Sequence, residues 1–308
     1  MRVAVTGASG FAGGAIARWL AERGFRVHSF GRRPRAALRA PLPDYREWDV
    51  TAGDVAVPTV DAVVHCAAHV GQWGEARPYH DVNVEGTRRV LARFAGAERV
   101  VHLSSASVYA SDLPKVRVRE EARAGEPALT EYARTKAMGE AVVRASGRAA
   151  IILRPHIIYG PGDTTLWPRL MAARRLGWLV VPGDGTNAVS VTHVCNLALA
   201  VECALRGEPH AATYNVSDGE DAGVGELLRT MLRRRGLTPR LLFVPRPLAW
   251  GAALFGEWGA RAARRTREPT LTRYVVANLA DECTLDITRA RAELGYRPRY
   301  SFRDAPLE

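Results

Sequence analysis

Tyr132 and Lys136 are the pair of residues with the clearest chemical potential in this sequence. The segment Tyr132-Ala-Arg-Thr-Lys136 spaces them four residues apart, which places both side chains on one face of a helix. A nearby ammonium group favours a tyrosinate, so we expect Lys136 to lower the pKa of Tyr132 towards a value useful at neutral pH. Lys136 is also one of only two lysines in a chain with 43 basic residues.

A serine-rich segment stands upstream of this pair. It reads LSSASVY from Leu103 to Tyr109 and begins where an apolar run, the predicted strand Arg99–Leu103, ends. A hydroxyl at that strand end could hold a carbonyl oxygen while the tyrosine donates a proton. The Tyr-x-x-x-Lys spacing arises often by chance, but together with this serine and a glycine-rich turn it predicts a proton-transfer site.

The glycine-rich turn spans Thr6–Gly14, reads TGASGFAGG, and follows the first predicted strand directly. Gly7 would allow the sharp turn, Gly10 would let the backbone approach a pyrophosphate, and Gly13 would let the next helix pack close to the strand. The amino end of that helix would face the phosphates. The spacing in this context predicts a dinucleotide-binding site.

The end of the second predicted strand bears on which dinucleotide is bound. Enzymes that bind the free ribose 2′-hydroxyl carry Asp or Glu there, but this sequence has Gly31 followed by Arg32 and Arg33. A guanidinium group can pair with a 2′-phosphate, so we predict NADP(H) in preference to NAD(H). The alternative is that these two are ordinary residues of an arginine-rich chain.

The composition excludes several other classes of protein. The 308 residues carry a net charge of +11, 47% are hydrophobic and 24% are charged, as in a globular protein with a sizeable core. The arginines are dispersed among acidic residues with no basic arm, so we expect no nucleic-acid partner. The cysteines are spread out without a CxxC pair, which predicts no metal site and no disulfides in a cytoplasmic protein: Cys66, Cys195, Cys203 and Cys283. The sequence opens on a strand and contains no apolar run long enough to span a membrane.

Strands and helices alternate through the first half of the chain. The pattern predicts strands at Val3–Val5, Arg26–Phe30, Tyr45–Trp48, Ala62–Cys66, Arg99–Leu103 and Ala150–Leu153, and helices at Phe11–Arg23, Tyr79–Ala95 and Glu131–Ala145. This alternation is typical of an α/β fold, a Rossmann-type doubly wound parallel sheet. We expect that domain to cover residues 1–158, with 189–206, including a helix at Val194–Leu205, packing back on it. Residues 159–188 and 207–308 would form a smaller C-terminal substrate-binding domain.

With these motifs together, the sequence resembles the extended short-chain dehydrogenase/reductases over essentially its whole length. The matching stretches are TGASGFAGG, Asp49-Val50, HCAAHVG at 65–71, NVEGT at 83–87, LSSASVY, YARTK, LRPHIIYGPGD at 153–163 and TLDITRARAELGYRP at 284–298. The resemblance implies that Ser105, Tyr132 and Lys136 are the catalytic residues. It also implies that the cofactor contacts Gly7, Ser9, Gly10, Phe11, Gly13, Arg32, Arg33, Asp49, Val50, Cys66, Ala67, Ala68, Tyr132, Lys136, Pro155, His156 and Ile157.

Within this family the sequence departs from the nucleotide-sugar epimerases and dehydratases. Val189 stands where they usually carry a diphosphate-binding arginine, and Asn196 stands where they carry Asp. The segment THVCNLALAV is closer to the 3β-hydroxysteroid dehydrogenase-like branch. HVGQWG at 69–74, GPGDTTLWPRL at 160–170 and REPTLTRY at 267–274 are most similar to bacterial 2-alkyl-3-oxoalkanoate reductases. The apolar segment Pro247–Ala263 is either that branch's substrate lid or a core helix.

The resemblance therefore implies an NADPH-dependent ketoreductase acting on the 3-oxo group of a 2-alkyl-3-oxoalkanoic acid or a similar apolar small molecule. The alternatives are a 3β-hydroxysteroid dehydrogenase, a nucleotide-sugar epimerase or dehydratase, and a non-catalytic NADP-binding regulator; a homodimer is compatible with each. Candidate residues of the substrate pocket are Trp73, Ser107, His156 and Trp167. His156 and His193 have an alternative interpretation as structural histidines.

Overall fold

The structure is a computed structural model that describes residues 1–208, 210–238, 240–265 and 267–307. Its strands are β1 Arg2–Thr6, β2 Arg26–Gly31, β3 Tyr45–Glu47, β4 Ala62–His65, β5 Arg99–Leu103, β6 Ala149–Pro155, β7 Ile158–Tyr159, β8 Arg174–Arg175, β9 Trp178–Pro182, β10 Ala188–Ser190, β11 Thr192–His193, β12 Ala212–Val216, β13 Asp221–Gly223 and β14 Arg240–Val244. Its helices are α1 Phe11–Glu22, α2 Ala76–His80, α3 Gly86–Arg93, α4 Glu131–Ala145, α5 Leu166–Ala173, α6 Val194–Arg206, α7 Val224–Arg234, α8 Arg246–Ala262, α9 Arg273–Ala280 and α10 Thr288–Glu293.

Seven of these strands form one parallel sheet in the order β12-β6-β5-β4-β1-β2-β3. The central strands are apolar along their whole length because helices cover both faces of the sheet. Helices α1 and α6 pack on one face, and α3 and α4 cover the other. The predicted Rossmann-type sheet is confirmed, and the carboxyl ends of its strands meet at one edge.

The structure departs from the sequence expectation at strand β12. Residues 212–216 fall in the segment that we assigned to the substrate-binding domain, yet they pair with β6 at the edge of the large sheet. Tyr214 and Val216 are fully buried in the core beneath α6. Burial of this apolar face fixes the strand in the sheet, although the sequence around it lacks the strand–helix alternation of the first half.

A second departure concerns the predicted helix Tyr79–Ala95. The helical segment begins earlier, at Ala76, ends at Arg93, and contains a π-helical turn at Asp81–Glu85. This turn crosses α4 very closely, because a Cβ atom on Gly139 would lie 2.7 Å from the carbonyl oxygen of Asn83.

The smaller part of the molecule is built on short strands and four helices. Strands β8, β9 and β14 form one sheet, and β10 and β13 pair as a ribbon. Their core contains Leu179, Val181 and Leu228, together with the fully buried Val189.

Helices α8 and α9 pack on each other at the side of this smaller part. The apolar residues of α8 that are buried against Val276 of α9 are small, namely Ala249 and Ala253. The large apolar residues Leu248 and Phe255 are exposed, so α8 is not a core helix. Among the described residues, no helix combines the length and apolar character needed to cross a bilayer.

Candidate active site

The glycine turn forms an open cradle at the amino end of α1. Gly7 has φ +69°, and a Cβ atom there would lie 2.5 Å from the backbone nitrogen of Ala67. A Cβ atom on Gly13 would lie 2.4 Å from the carbonyl oxygen of Gly7, so only glycine lets α1 pack this close to β1. No side chain caps the amino end of α1 at Gly10. The turn therefore has the shape and free N–H groups that fit a pyrophosphate.

The neighbouring loops bring the predicted adenine-side residues to the same edge of the sheet. Asp49 accepts hydrogen bonds from the backbone nitrogen and hydroxyl of Thr51 at 2.9 and 2.8 Å. Although burial raises it, these bonds and the nearby charge of Arg32 lower the pKa of Asp49. Val50 is buried against Gly86. The effect of Arg32 on Asp49 shows that its guanidinium group is near this carboxylate.

Ser9 lies against the end of β2. A Cβ atom on Gly31 would lie 2.8 Å from the backbone nitrogen of Ser9. The carbonyl oxygens of Gly31 and Arg33 both accept a hydrogen bond from the hydroxyl of Tyr45, at 2.8 and 2.6 Å. The exposed side chains of Arg32 and Arg33 follow directly from this anchored turn.

The loop after β4 lies at the same edge of the sheet, next to the glycine turn. The backbone nitrogen of Cys66 donates to the carbonyl oxygen of Thr6, and Ala67 donates to the Thr6 hydroxyl at 3.5 Å. Burial raises the pKa of the Cys66 thiol to about 12, so the thiol is uncharged at neutral pH. Ala68 continues this loop, and Phe11 begins α1 on the opposite side of the cradle.

The structure separates the roles of the two adjacent serines. Ser104 is buried, and its hydroxyl donates to Oε1 of Glu140 at 2.6 Å. The hydroxyl of Ser105 instead accepts from the backbone nitrogen of Ser107 at 3.2 Å and hydrogen-bonds to Tyr132. Ser105, which the family pattern indicated, is therefore the serine that the fold brings to Tyr132.

The electrostatics of Tyr132 differ from the expectation that Lys136 lowers its pKa. Burial raises the pKa of Tyr132, and the hydrogen bond with Ser105 offsets this only in part. The Lys136 Nζ atom donates to the carbonyl oxygen of Leu103 at 2.5 Å and does not contribute to the pKa shift of Tyr132. Tyr132 is therefore a neutral phenol at neutral pH, ready to donate a proton.

Lys136 itself is almost completely buried. Burial lowers its pKa to about 8, while the charge of Glu140 and the thiol of Cys66 act to raise it. Glu140 lies four residues beyond Lys136 and thus on the same helix face as Tyr132. This spacing of Tyr, Lys and Glu was present in the sequence and was missed.

Glu140 ties the catalytic helix to the sheet. Its carboxylate receives the Arg154 guanidinium in a bidentate pair, with distances of 2.8 and 2.7 Å, and both side chains are buried. Arg144 adds a contact of 2.7 Å from the helix surface. Arg154 also stacks over the ring of Tyr109 at 4.8 Å. This network fixes the position of α4 relative to β5 and β6.

A cavity of about 380 Å³ opens beside the catalytic helix. Its wall includes Ser107, Lys115, His156, Tyr274 and Asn278. The Ser107 hydroxyl is buried without a hydrogen-bond partner, so it offers a free polar contact to a bound molecule.

Two of the four predicted pocket residues lie elsewhere. Trp73 donates from Nε1 to the carbonyl oxygen of Arg265 at 3.1 Å, and Trp167 packs beneath the guanidinium of Arg235 at 4.0 Å. Both aromatic rings are held by contacts with the smaller part of the molecule, which keeps them out of the cavity wall.

His156 is buried with both ring nitrogens next to oxygen acceptors. Nδ1 lies 2.8 Å from the carbonyl oxygen of Ser190, and Nε2 lies 3.3 Å from Oδ1 of Asn278. The Asn278 amide nitrogen donates to Tyr274, which fixes the orientation of the amide. Burial lowers the pKa of His156, but Cys283 and the Ser190 carbonyl outweigh it, and the pKa is raised. The ring thus lies in the cavity wall with its orientation fixed by these two contacts.

The chain is strained immediately after His156. Ile157 has φ +35°, which is rare for a β-branched residue. Thr192 holds this conformation, since its hydroxyl donates to the His156 carbonyl at 2.8 Å and its backbone nitrogen donates to the Ile157 carbonyl at 3.2 Å. Pro155, at the end of β6, therefore turns His156 towards the cavity rather than along the strand.

The two positions that differ from nucleotide-sugar enzymes have structural roles. Val189 is fully buried in the core of the smaller part. The Asn196 amide donates to Asp218 at 2.7 Å, and its oxygen accepts from the backbone of Arg299 and Tyr300. Neither position supplies a cation for a diphosphate. His193 is likewise structural, with its ring stacked on Tyr300 at 4.9 Å.

Comparison with known proteins places this geometry in context. The family described as NAD dependent epimerase/dehydratase matches residues 3–217. A 2-alkyl-3-oxoalkanoate reductase from Stenotrophomonas maltophilia is 35% identical over 322 residues, covering 99% of this chain and 97% of that protein. A 3-beta-hydroxysteroid dehydrogenase from Mycolicibacterium neoaurum is 28% identical, covering 100% of this chain and 90% of that protein. The solved structure of MoeE5 in complex with UDP-glucuronic acid and NAD is 25% identical, with a TM-score of 0.76, 99% of this chain and 96% of that chain covered.

Proposed function

Because the chain belongs to the NAD-dependent epimerase/dehydratase family and is an NAD(P)-dependent oxidoreductase, we propose that it is a ketoreductase. Its substrate in this proposal is a 2-alkyl-3-oxoalkanoic acid or a similar apolar β-keto compound, whose 3-oxo group becomes a hydroxyl group. The observation that carries the proposal is the protonated Tyr132 hydrogen-bonded to Ser105, with the neighbouring residues Ala106, Ser107 and Ala133 lining a cavity. The similarity to a 2-alkyl-3-oxoalkanoate reductase supports the choice of substrate.

The state of Tyr132 favours reduction over oxidation. Reduction of a ketone requires a proton donor, and burial keeps the phenol of Tyr132 protonated at neutral pH. Ser105 would orient the carbonyl oxygen through its hydroxyl. Lys136, which is anchored to the Leu103 carbonyl oxygen, would bond the ribose of the cofactor. A bound nicotinamide cofactor would supply the hydride.

The choice of NADP(H) rests on Arg32 and Arg33. Both side chains are exposed at the end of β2, and the charge of Arg32 lowers the pKa of Asp49. A 2′-phosphate there would pair with a guanidinium group and meet no carboxylate on that strand. In a test, Arg32→Ala/Arg33→Ala should raise the KM for NADPH at least about tenfold and leave that for NADH nearly unchanged. Equal effects on both cofactors would contradict the preference.

Lys115 gives the cavity wall a cation that suits a carboxylate. It lines the wall without an ion pair to any described carboxylate. A 3-oxo acid places its carboxylate two carbons from the ketone, whereas a sterol brings no anion. Lys115 therefore supports the choice of a keto acid.

A single assay separates the candidates. NADPH oxidation would be followed with 2-alkyl-3-oxo acids, with steroid ketones, and with nucleotide sugars as control compounds. Turnover with the keto acids, lost in Tyr132→Phe, is the expected result. Turnover restricted to steroid ketones would assign the chain to the hydroxysteroid dehydrogenases instead.

The setting that we propose is the cytoplasm, with a small molecule rather than a nucleic acid as partner. The four cysteines are free thiols in the structure, as expected in a reducing compartment. A homodimer remains part of the proposal, and a mass measurement by light scattering tests it.

A further inference from the structure

The outer face of α8 exposes large apolar side chains. Leu248 is 66% exposed, Phe255 74% and Trp258 71%, with Leu254 beside them at 45%. From Pro247 to Ala260 the sequence has a single charged residue, Glu257. That carboxylate is turned inward and pairs with Arg273 at 3.0 Å. The exposed face of α8 therefore carries no charge over more than three turns.

This arrangement reverses that of an ordinary surface helix. A helix that covers a core turns its large apolar residues inward and its polar residues to water. In α8 the inward face consists of the small residues Ala249, Ala253 and Ala260 together with the paired Glu257. A contiguous exposed face of Leu, Phe and Trp is typical of a surface that binds something.

The neighbouring sheet also exposes large apolar side chains. Trp178 and Val180 of β9 and Leu242 of β14 are between 41% and 52% exposed and share one face of the paired strands. Val244 lies two residues after Leu242, hence on the same face, and packs in the cluster formed by α8 and α9. We call this combined surface the α8 face.

Arginines surround the α8 face. Arg261, Arg264, Arg265 and Arg267 are exposed at the carboxyl end of α8, and within the described ranges none of them forms an ion pair with a carboxylate. Arg174, Arg175 and Arg240 lie at the ends of the exposed strands. Between Arg240 and Arg267 the only acidic residue is the inward-facing Glu257. The carboxyl end of α8 thus carries a cluster of arginines that are not neutralised by a carboxylate of the described residues.

We propose that the α8 face binds the surface of an anionic lipid bilayer, with the apolar side chains in the interfacial region and the arginines on the lipid phosphates. Helices with Trp, Phe and Leu on one side and arginines beside them lie in this manner at membrane surfaces. Clustered arginines add attraction to anionic lipids. A second copy of the chain fits less well, because it would bring the unpaired arginines of both chains to one interface.

The helices that carry the α8 face also line the cavity. Arg246 and Trp250 in the first turns of α8 line the cavity, as do Tyr274 and Asn278 of α9. An apolar molecule dissolved in the bilayer would therefore meet the cavity wall on the same helix pair that binds the lipid. The binding itself does not depend on the proposed function.

The test is binding of the full-length protein to lipid vesicles. Vesicles of equal parts phosphatidylcholine and phosphatidylglycerol are expected to co-sediment the protein and to shift its tryptophan emission to shorter wavelength. Phosphatidylcholine vesicles alone should bind it at least about tenfold more weakly, and added salt should weaken the anionic binding. Phe255→Ser/Trp258→Ser should lower the partition constant about tenfold or more.

Three controls make the outcome decisive. Trp258→Phe should keep the binding and lose most of the emission shift. Arg264→Gln/Arg265→Gln should weaken anionic binding, whereas Arg2→Gln/Arg26→Gln, at the opposite edge of the large sheet, should not. Absence of binding to anionic vesicles by the folded wild-type protein would overturn the proposal. A dimer that Phe255→Ser/Trp258→Ser converts to monomer would also overturn it and assign the face to self-association.

Discussion

Helices α4 and α8 have similar lengths but bury opposite kinds of side chain. In α4 the functional face is polar and buried, and Glu140 meets Arg154, Arg144 and Ser104 there. In α8 the buried apolar residues are alanines, and the large apolar side chains are exposed. A buried charged group must be matched by partners, so each residue of α4 is tied to its neighbours. The outer residues of α8 have no such ties and are free to meet another surface.

The largest expected effect tests the chemistry of α4. Tyr132→Phe removes the proton donor and keeps the ring, so kcat should fall roughly 10²- to 10⁴-fold while NADPH binding persists. Steady-state rates and fluorescence titration of NADPH measure the two properties. The matched control is Tyr274→Phe, which alters a phenol in the cavity wall and should cost less than tenfold. Near-normal turnover in Tyr132→Phe would remove Tyr132 from the reaction.

The buried ion pair of α4 should dominate its stability. Glu140→Gln keeps the size of the side chain but leaves the Arg154 charge buried without a counter-ion, at a cost of about 3–5 kcal/mol. Arg144→Gln removes the half-exposed partner of the same carboxylate and should cost no more than about 1 kcal/mol. Urea unfolding of both variants measures the difference. Equal losses would mean that burial does not govern this network.

The pH profile of the reaction tests the influence of Glu140 on Lys136. Lys136 has a pKa of about 8 and is charged below it, so ketone reduction should decline as pH rises through that value. Glu140 raises the pKa of Lys136, hence Glu140→Gln should move the decline to lower pH. The measurement is kcat/KM against pH in folded protein, with Arg144→Gln as reference. An unmoved midpoint would show that another group titrates.

The inner face of α8 should resist larger residues. Ala253 is fully buried against α9, so Ala253→Leu should destabilise the protein by about 1–3 kcal/mol through overpacking. Thermal unfolding followed by circular dichroism tests this. Ala252→Leu, one residue away on the exposed side, is the control and should change little.

The smallest expected effect belongs to the outer face of α8. Phe255→Ser/Trp258→Ser should change the free energy of unfolding by no more than about 0.5 kcal/mol, since these side chains have little to lose on unfolding. Urea unfolding measures it without lipid. A loss of several kcal/mol would show that these residues pack inside the protein in solution, and the contrast between the two helices would disappear.

The sequence was a good guide where local rules decide the structure. Strand β5 and helix α4 have the predicted bounds, and the family and the Rossmann-type sheet are confirmed. Strand β12 was misplaced because its partner β6 is distant in the chain, and only tertiary contacts reveal the pairing.

The candidate site was predictable in its residue types and less so in its electrostatics. Spacing alone indicated Tyr132 and Lys136, but not that Lys136 bonds to Leu103 and leaves the phenol neutral. The contacts that hold the His156 ring come from Ser190 and Asn278, which lie far away in sequence. Helix α8 was ambiguous because composition shows that a segment is apolar without showing which way its side chains point.

The contact between Gly31 and Ser9 sets a limit on how this protein can evolve. Any Cβ atom at position 31 would press against the Ser9 backbone, so the residue that most directly selects NAD cannot be acquired there in one step. Replacing the Ser9 side chain would not help, because the obstacle includes the main chain. Changes in cofactor use are therefore channelled to positions 32 and 33, which are exposed and free to vary. A change of cofactor specificity is therefore blocked at position 31 and possible at positions 32 and 33.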